Sequence, residues 1–281
     1  SHVLALRGLA GERAWVLDPF AFLQSALRLP AMPVPDVSTE RGKRLALLAI
    51  DAQGLSDFAR LRGRPRIQRV LATEILARHA WPHALHVAAD ATPADRAAAR
   101  SLLAERGAEL YVADVLTGTT AERLPPTSLT GIAPLWPAEA PDQIALPMAD
   151  DLRFIGPLAE SYPVRRVLET YAFTEEPRRL RPVVFHYHAF ALGSPGGLAA
   201  LSQVYAWLRA QDVLPVRIED FRARVAAFRE QVVVRALDGS YELLGGAALR
   251  SVRVPASWGP PDPARCAGVE LTSNEQAGVR Y

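Results

Sequence analysis

Leu45-Ala-Leu-Leu-Ala-Ile50, followed at once by Asp51, is the stretch of sequence that decides the fold. An unbroken apolar run of this length is typical of a strand buried on both faces, as in a parallel sheet covered by helices. Asp51 places a carboxylate at the carboxyl end of that strand, the edge of α/β sheets and barrels where ligand sites form. The stretch therefore predicts a central buried strand ending in a candidate functional group. Capping of a loop is the alternative role of Asp51.

Strands and helices alternate after this stretch. The predicted elements are a helix over 67–79, a strand over 84–89, a helix over 93–106 and a strand over 109–113. Their order requires parallel strands joined by right-handed crossovers. The second half of the chain adds a strand over 183–188, a helix over 195–208, a strand over 213–218 and a helix around 221–228.

The two ends of the chain show other patterns. Asp18-Pro19 predicts a short helix to about residue 29, and the prolines of 30–35 indicate an extended linker. Beyond residue 231, short apolar segments around the Asp238-Gly239 turn predict antiparallel β structure. We therefore expect a lead-in over 1–40, a main α/β domain over 41–230, and a β appendage over 231–281 packed on that domain.

Composition excludes several classes of protein. The 281 residues are 49% hydrophobic and 22% charged, an ordinary globular balance, and no apolar run approaches a membrane span. The net charge of only +2 argues against a general nucleic-acid binder. A lone cysteine, Cys266, excludes both an internal disulfide and a multi-cysteine zinc site. The sequence begins with no basic segment leading into an apolar one, which is the pattern of a signal peptide.

Two groups of histidines have different expected roles. His186 and His188 lie two apart on a predicted strand and therefore share a face, where they can bind a metal, supply an acid, or simply pack. His79, His83 and His86 surround Trp81-Pro82, which breaks the helical spacing of metal ligands, so we expect packing or surface roles.

The arginines are unusual in number and position. Of the 32 basic residues, Lys43 is the only lysine, and the densest cluster is Arg60, Arg62, Arg64, Arg66 and Arg69. A solvated loop and helix start explain this cluster as well as recognition of an anion by guanidinium groups does. Both interpretations stay open at the level of the sequence.

Longer motifs add a family resemblance. The segment Arg44-Leu-Ala-Leu-Leu-Ala-Ile-Asp-Ala-Gln-Gly54 resembles the first motif of NodB-type polysaccharide deacetylases (carbohydrate esterase family four), and most of all PelA-type exopolysaccharide-modification proteins. Further similar segments are 15–20, 29–36, 129–135, 165–170, 177–182, 200–207 and 278–281. The resemblance implies a distorted parallel (β/α)7-type NodB-like barrel with a small C-terminal antiparallel β module. It also implies a bacterial periplasmic location.

The resemblance carries the family's catalytic residues over unevenly. Asp51 stands at the position of the catalytic base and His188 at that of the acid. Enzymes of the family also hold a divalent metal such as zinc with one aspartate and two histidines, but the matching positions are Gln53, Ala113 and Thr117. These side chains lack the carboxylate and imidazole donors that zinc requires, so we expect no metal and no other cofactor.

Two main hypotheses follow for function. The first is a catalytically degenerate deacetylase-like domain that binds exopolysaccharide or a secretion-complex protein, or is structural, without nucleic acid or membrane insertion. The second is an active N-acetylhexosamine polysaccharide deacetylase with a rebuilt site, in which Asp51 and His188 work without a metal or, with His186, hold one. Gln53, Trp136, His186 and Tyr187 are the expected substrate-binding residues. Trp136 and Tyr187 are suited to stack on sugar rings, and packing in the core is the alternative for both. A third hypothesis is a glycoside hydrolase that uses the carboxylates of Asp57 and Asp114.

Overall fold

The computed structural model describes residues 5–7, 13–15, 19–112, 167–169, 171–172, 175, 179, 182–267, 273–276 and 279–281. The elements used below are, in chain order, β1 (Ala5–Arg7), β2 (Arg13–Trp15), α1 (Pro19–Ala26), β3 (Val34–Asp36), β4 (Thr39–Glu40), β5 (Lys43–Asp51), α2 (Ile67–Val70, continued by a π-helical turn over Leu71–Leu76), β6 (His83–His86), α3 (Pro93–Arg106), β7 (Leu110–Val112), β8 (Val183–His188, followed by a 3-10 turn over Ala189–Gly193), α4 (Pro195–Ala210), β9 (Val213–Pro215), α5 (Ile218–Glu230), β10 (Val232–Arg235), β11 (Tyr241–Leu244), β12 (Ser251–Pro255, followed by a 3-10 turn over Ala256–Trp258), a 3-10 turn over Pro263–Arg265, β13 (Glu275–Gln276) and β14 (Val279–Arg280).

β5 is the centre of a six-stranded mixed sheet. It pairs in parallel with β6, β8 and β9, while β7 extends the sheet in parallel beyond β6 and β4 returns antiparallel to the start of β5. The predicted parallel α/β organisation is thus present. Among the described strands the pairing leaves an open path rather than a closed barrel, so the coarser description is mixed α/β.

Two hydrophobic layers bury β5 from both sides. Leu48 and Ile50 pack into the larger cluster, which includes apolar residues of α2, α3 and α4. Leu45 and Leu47 pack into the second cluster with Phe221 of α5. The alternation follows from the two-residue period of a strand and explains why the run is apolar throughout.

A separate four-stranded sheet joins the two ends of the chain. β12, from the predicted appendage, pairs antiparallel with β3 of the predicted lead-in and with β14. Arg253 and Asp36 form an ion pair across this junction, with Nη2 donating to Oδ1 at 2.8 Å. Both side chains are almost fully buried, so their polar atoms need hydrogen-bond partners within the protein. The hydroxyl of Ser38 is one such partner, because it accepts a hydrogen bond from the same Nη2.

Several strands end earlier than predicted, and for β6 the difference matters for the site. The sequence predicts a strand over 84–89, but β6 ends at His86, because the chain turns at Ala88–Ala91 towards the cap of α3 at Thr92. His86 therefore lies at the carboxyl end of β6 instead of in its middle. Among the described residues, no helix has both the length and the apolar character needed to cross a membrane.

Candidate functional site

Three neighbouring strands end with one polar residue each at the same level. Asp51 of β5 is aligned with His86 of β6 on one side and with His188 of β8 on the other. Adjacent strands lie about 4.8 Å apart, and aligned residues project to the same face of the sheet. The sheet thus brings the three side chains into one row, which we call the Asp–His row.

Asp51 is the best-connected member of the row. Its Oδ2 lies 2.8 Å from Nδ1 of His86, and its Oδ1 accepts a 2.8 Å hydrogen bond from the backbone N–H of Gln53. The Asp51 side chain is 6% exposed and that of His86 is 14% exposed. The carboxylate is therefore held by the protein itself, while the imidazole stays within reach of solvent.

The charges around Asp51 favour its ionised form. Burial acts to raise the pKa of this carboxyl, but the hydrogen bonds from His86 and Gln53 and the nearby His188 outweigh it, so the pKa lies below its ordinary value. Asp51 is consequently an anion at neutral pH and a weak base.

His188 ends β8 and begins the 3-10 turn. Its ring stacks on that of Phe190, with centroids 4.8 Å apart and planes within 19°, and both side chains are half-buried. The pair is a partly accessible aromatic surface beside Asp51.

Two expected substrate-binding residues lie in the core instead. His186 precedes His188 on the same face but is fully buried. Tyr187 faces the opposite side, is fully buried, and places its hydroxyl 3.2 Å from that of Tyr205. Neither side chain reaches the surface in this structure, so both occupy the positions of packing residues.

The histidine group around Trp81 is divided by the structure. His79 stacks on Tyr205, and fully buried His83 contacts the Tyr205 hydroxyl through Nε2 at 3.0 Å, as expected for packing residues. Burial lowers the pKa of His83 to about 4. His86, expected to behave like them, instead belongs to the Asp–His row. The sequence does not single out His86, because Trp81-Pro82 breaks the helical spacing of metal ligands and a strand predicted to reach residue 89 places His86 in its middle.

The loop after Asp51 forms part of the same rim. Gln53 is exposed, and its side-chain amide makes no hydrogen bond with the described residues. The backbone oxygen of Gln53 accepts from the N–H of Phe190, which ties this loop to the turn after His188. Asp57 lies exposed further along the loop. Ala113, Asp114, Thr117 and Trp136 lie outside the described residues.

No cluster of three or more histidine, cysteine, aspartate or glutamate side chains that could hold a metal ion occurs within the part of the chain that the structure describes. Comparisons with protein-family models, with curated proteins and with solved structures returned no match.

Proposed function

We propose that this chain is a NodB-like, PelA-type deacetylase-fold domain that binds exopolysaccharide at the carboxyl end of its sheet and is degenerate as a metal-dependent deacetylase. The proposal includes the barrel closure, the periplasmic location and the secretion-complex setting that the sequence resemblance implies. The observation that carries it is the state of Asp51. Both carboxylate oxygens are bonded within the protein, and the pKa is lowered, which is the wrong direction for a general base.

The donor set does not fit the family's metal. Gln53 offers a neutral amide where the family has a carboxylate, and Ala113 and Thr117 stand where it has histidines. An alanine has no donor atom, and an amide and a hydroxyl do not replace a carboxylate and an imidazole. We therefore derive no step through a metal.

The rim has features that suit a sugar chain. The exposed Gln53 amide, which has no hydrogen-bond partner among the described residues, offers both a donor and an acceptor to hydroxyl groups. The stacked His188–Phe190 pair offers a partly exposed aromatic surface. Ligand sites commonly combine an apolar surface with a few fixed polar groups. This aromatic pair takes the role that the sequence assigned to Tyr187.

Calorimetry with an N-acetylglucosamine oligomer tests the proposal. We expect binding without release of acetate, and weaker binding by Asp51→Asn and His86→Gln because these changes disturb the row. The matched control is Asp238→Asn, since Asp238 accepts the same type of backbone bond two residues ahead but lies in the exposed hairpin turn. Equal affinity in all variants, or no binding at all, would refute the proposal.

A second candidate is a metal-free deacetylase, favoured by the alignment of Asp51 and His188 on adjacent strands. Water would attack the acetyl carbonyl carbon and pass a proton to Asp51, which His86 positions. The C–N bond would then break as His188 protonates the leaving amine, releasing acetate. This candidate predicts that the unmodified chain releases acetate from the oligomer. The release should be abolished in Asp51→Asn and in His188→Gln, and chelators should not affect it.

A further inference from the structure

Positive charge is concentrated in the loop that leaves the Asp–His row. The arginine loop, defined here as residues 52–66, contains four arginines and a single carboxylate, Asp57, whereas the net charge of the whole chain is only +2. All four arginines are exposed. Such a local excess creates a positive potential that attracts anions over about a Debye length.

Three of the four arginines are available to a ligand. Arg66 is used internally, because it donates to the backbone oxygen of Ser56 and lies over the ring of Phe58 at 4.7 Å. Arg60, Arg62 and Arg64 make no ion pair with any carboxylate of the described residues. As far as the described residues go, their guanidinium donors are open to a partner.

The backbone of the loop is held in shape. Ala59 donates to the oxygen of Pro65 at 2.8 Å, and Ile67 donates to that of Asp57 at 2.8 Å. Between these anchors, Gly63 and Arg64 adopt φ of 79° and 44°, the left-handed region that closes a tight turn. A loop that is already ordered loses less conformational entropy on binding.

The arginine loop also lies beside the candidate site. The N–H of Arg60 donates to the oxygen of Gly193 at 2.6 Å, at the end of the turn that follows His188. At Gly54 a Cβ atom would come within 2.7 Å of the Cβ of Phe190, so the two segments pack in direct contact. The loop that bears the arginines is therefore in contact with the turn that follows His188.

We propose that the arginine loop is a subsite for a carboxylated polysaccharide, with uronate groups bound by Arg60, Arg62 and Arg64. Guanidinium groups match carboxylates in charge and geometry, and they repel a polymer of free amines. The ligand class is thus an acidic glycan and not the cationic product of a deacetylase. The inference rests on the proposed function in taking the ligand to be a polysaccharide.

The test compares two triple variants of equal charge change. Arg60→Gln/Arg62→Gln/Arg64→Gln removes the subsite, and Arg235→Gln/Arg250→Gln/Arg265→Gln removes three exposed arginines of the C-terminal region. Binding of an oligogalacturonate is measured by calorimetry at low and at raised salt. We expect the first variant to lose about tenfold or more in affinity and most of the salt dependence, since three exposed ion pairs are each worth up to about fivefold. The second variant should bind like the unmodified chain.

Three results overturn the inference. The first is equal loss in both triple variants, which would show attraction by net charge alone. The second is binding of poly-glutamate through the same arginines without binding of the oligogalacturonate, which would assign the loop to an acidic protein partner. The third is binding of the neutral N-acetylglucosamine oligomer but not of the oligogalacturonate, which removes this inference and leaves the proposed function standing. If the unmodified chain binds neither oligosaccharide, both this inference and the proposed function are refuted.

Discussion

The two ends of β6 carry the same type of side chain in opposite settings. At the amino end, His83 is fully buried, with its ring between the backbone oxygen of Trp81 and the hydroxyl of Tyr205. At the carboxyl end, His86 is partly exposed and bonded to Asp51. The residues are only three apart, so they also project from opposite faces of the strand.

This difference shows that the position of a histidine along β6, and not its residue type, determines whether it packs in the core or pairs with a charged group. In a parallel sheet the amino ends of the strands are closed by packing, whereas the carboxyl ends face the loops that form ligand sites. His83 therefore acts as a neutral core residue, and His86 acts as the partner of a charged group. The predictions below test each end against the other.

Replacement of His83 is expected to have the largest effect. His83→Ala should lower the free energy of unfolding by about 3–4 kcal/mol, because it opens a cavity beneath α4 and removes a hydrogen-bond partner of Tyr205. Urea denaturation of this variant and of His86→Ala measures the contrast. His86→Ala leaves the buried core intact and should cost clearly less; equal losses would mean that the two ends are not different in kind.

The second prediction concerns the effect of pH on the free energy of unfolding, which depends on His83 at the amino end of β6. In the unfolded chain His83 gains a proton near pH 6.5, but in the folded protein its pKa is about 4, so the unfolded state binds more protons between these values. The neutral, buried His83 therefore contributes fully to the free energy of unfolding above pH 6.5. This contribution, on the order of 3 kcal/mol, is lost as the pH falls from 6.5 to 4. His79, whose pKa is also lowered by burial, adds to the same trend.

Unfolding curves recorded from pH 8 to pH 4 check this expectation. His83→Gln should flatten the profile, because glutamine keeps hydrogen-bonding groups but does not titrate. An unchanged slope in this variant would show that His83 is not the titrating group.

The sequence predicts most of the helices and strands around β5, but only two of the three residues of the Asp–His row. The apolar run of β5, the cap at Thr92 and the strand 183–188 predicted elements that the structure confirms, because burial and capping leave local patterns. Strand ends and family motifs indicate Asp51 and His188, and the two residues lie at aligned positions of β5 and β8. The sequence does not indicate His86, because the end of β6 is set by a turn over 88–91 whose residues give only a weak local signal. For Tyr187 the sequence leaves open both a stacking platform and a place in the core, because the pattern of a strand does not reveal whether both of its faces are covered.

The carboxyl end of the sheet can also be perturbed through its loop. Gly54→Ala should cost about 2 kcal/mol, since the residue has a φ of 77° and the new Cβ would collide with Phe190. Gly63→Ala is the matched control: its φ is 79° but no atom lies within 4 Å, so only the backbone strain of about 1 kcal/mol remains. The difference between the two variants measures how tightly the arginine loop packs on the turn after His188. Equal costs would mean that the loop does not rest on Phe190.

Asp51→Asn is expected to have the smallest effect on stability and the most specific one. The folded protein holds the pKa of this carboxyl below the ordinary 3.8, so its contribution is present above pH 3.8 and is lost as the pH falls through the folded value. Asparagine keeps the acceptor for the Gln53 N–H but loses the charge beside His86, so we expect a loss of about 1 kcal/mol at pH 7 that shrinks below pH 3.8. Urea unfolding at several pH values measures it, with exposed Asp238→Asn as the control that should leave stability almost unchanged. A loss that persists in acid would mean that Asp51 stabilises the fold by shape rather than by charge, and the two ends of the sheet would then differ in exposure but not in electrostatics.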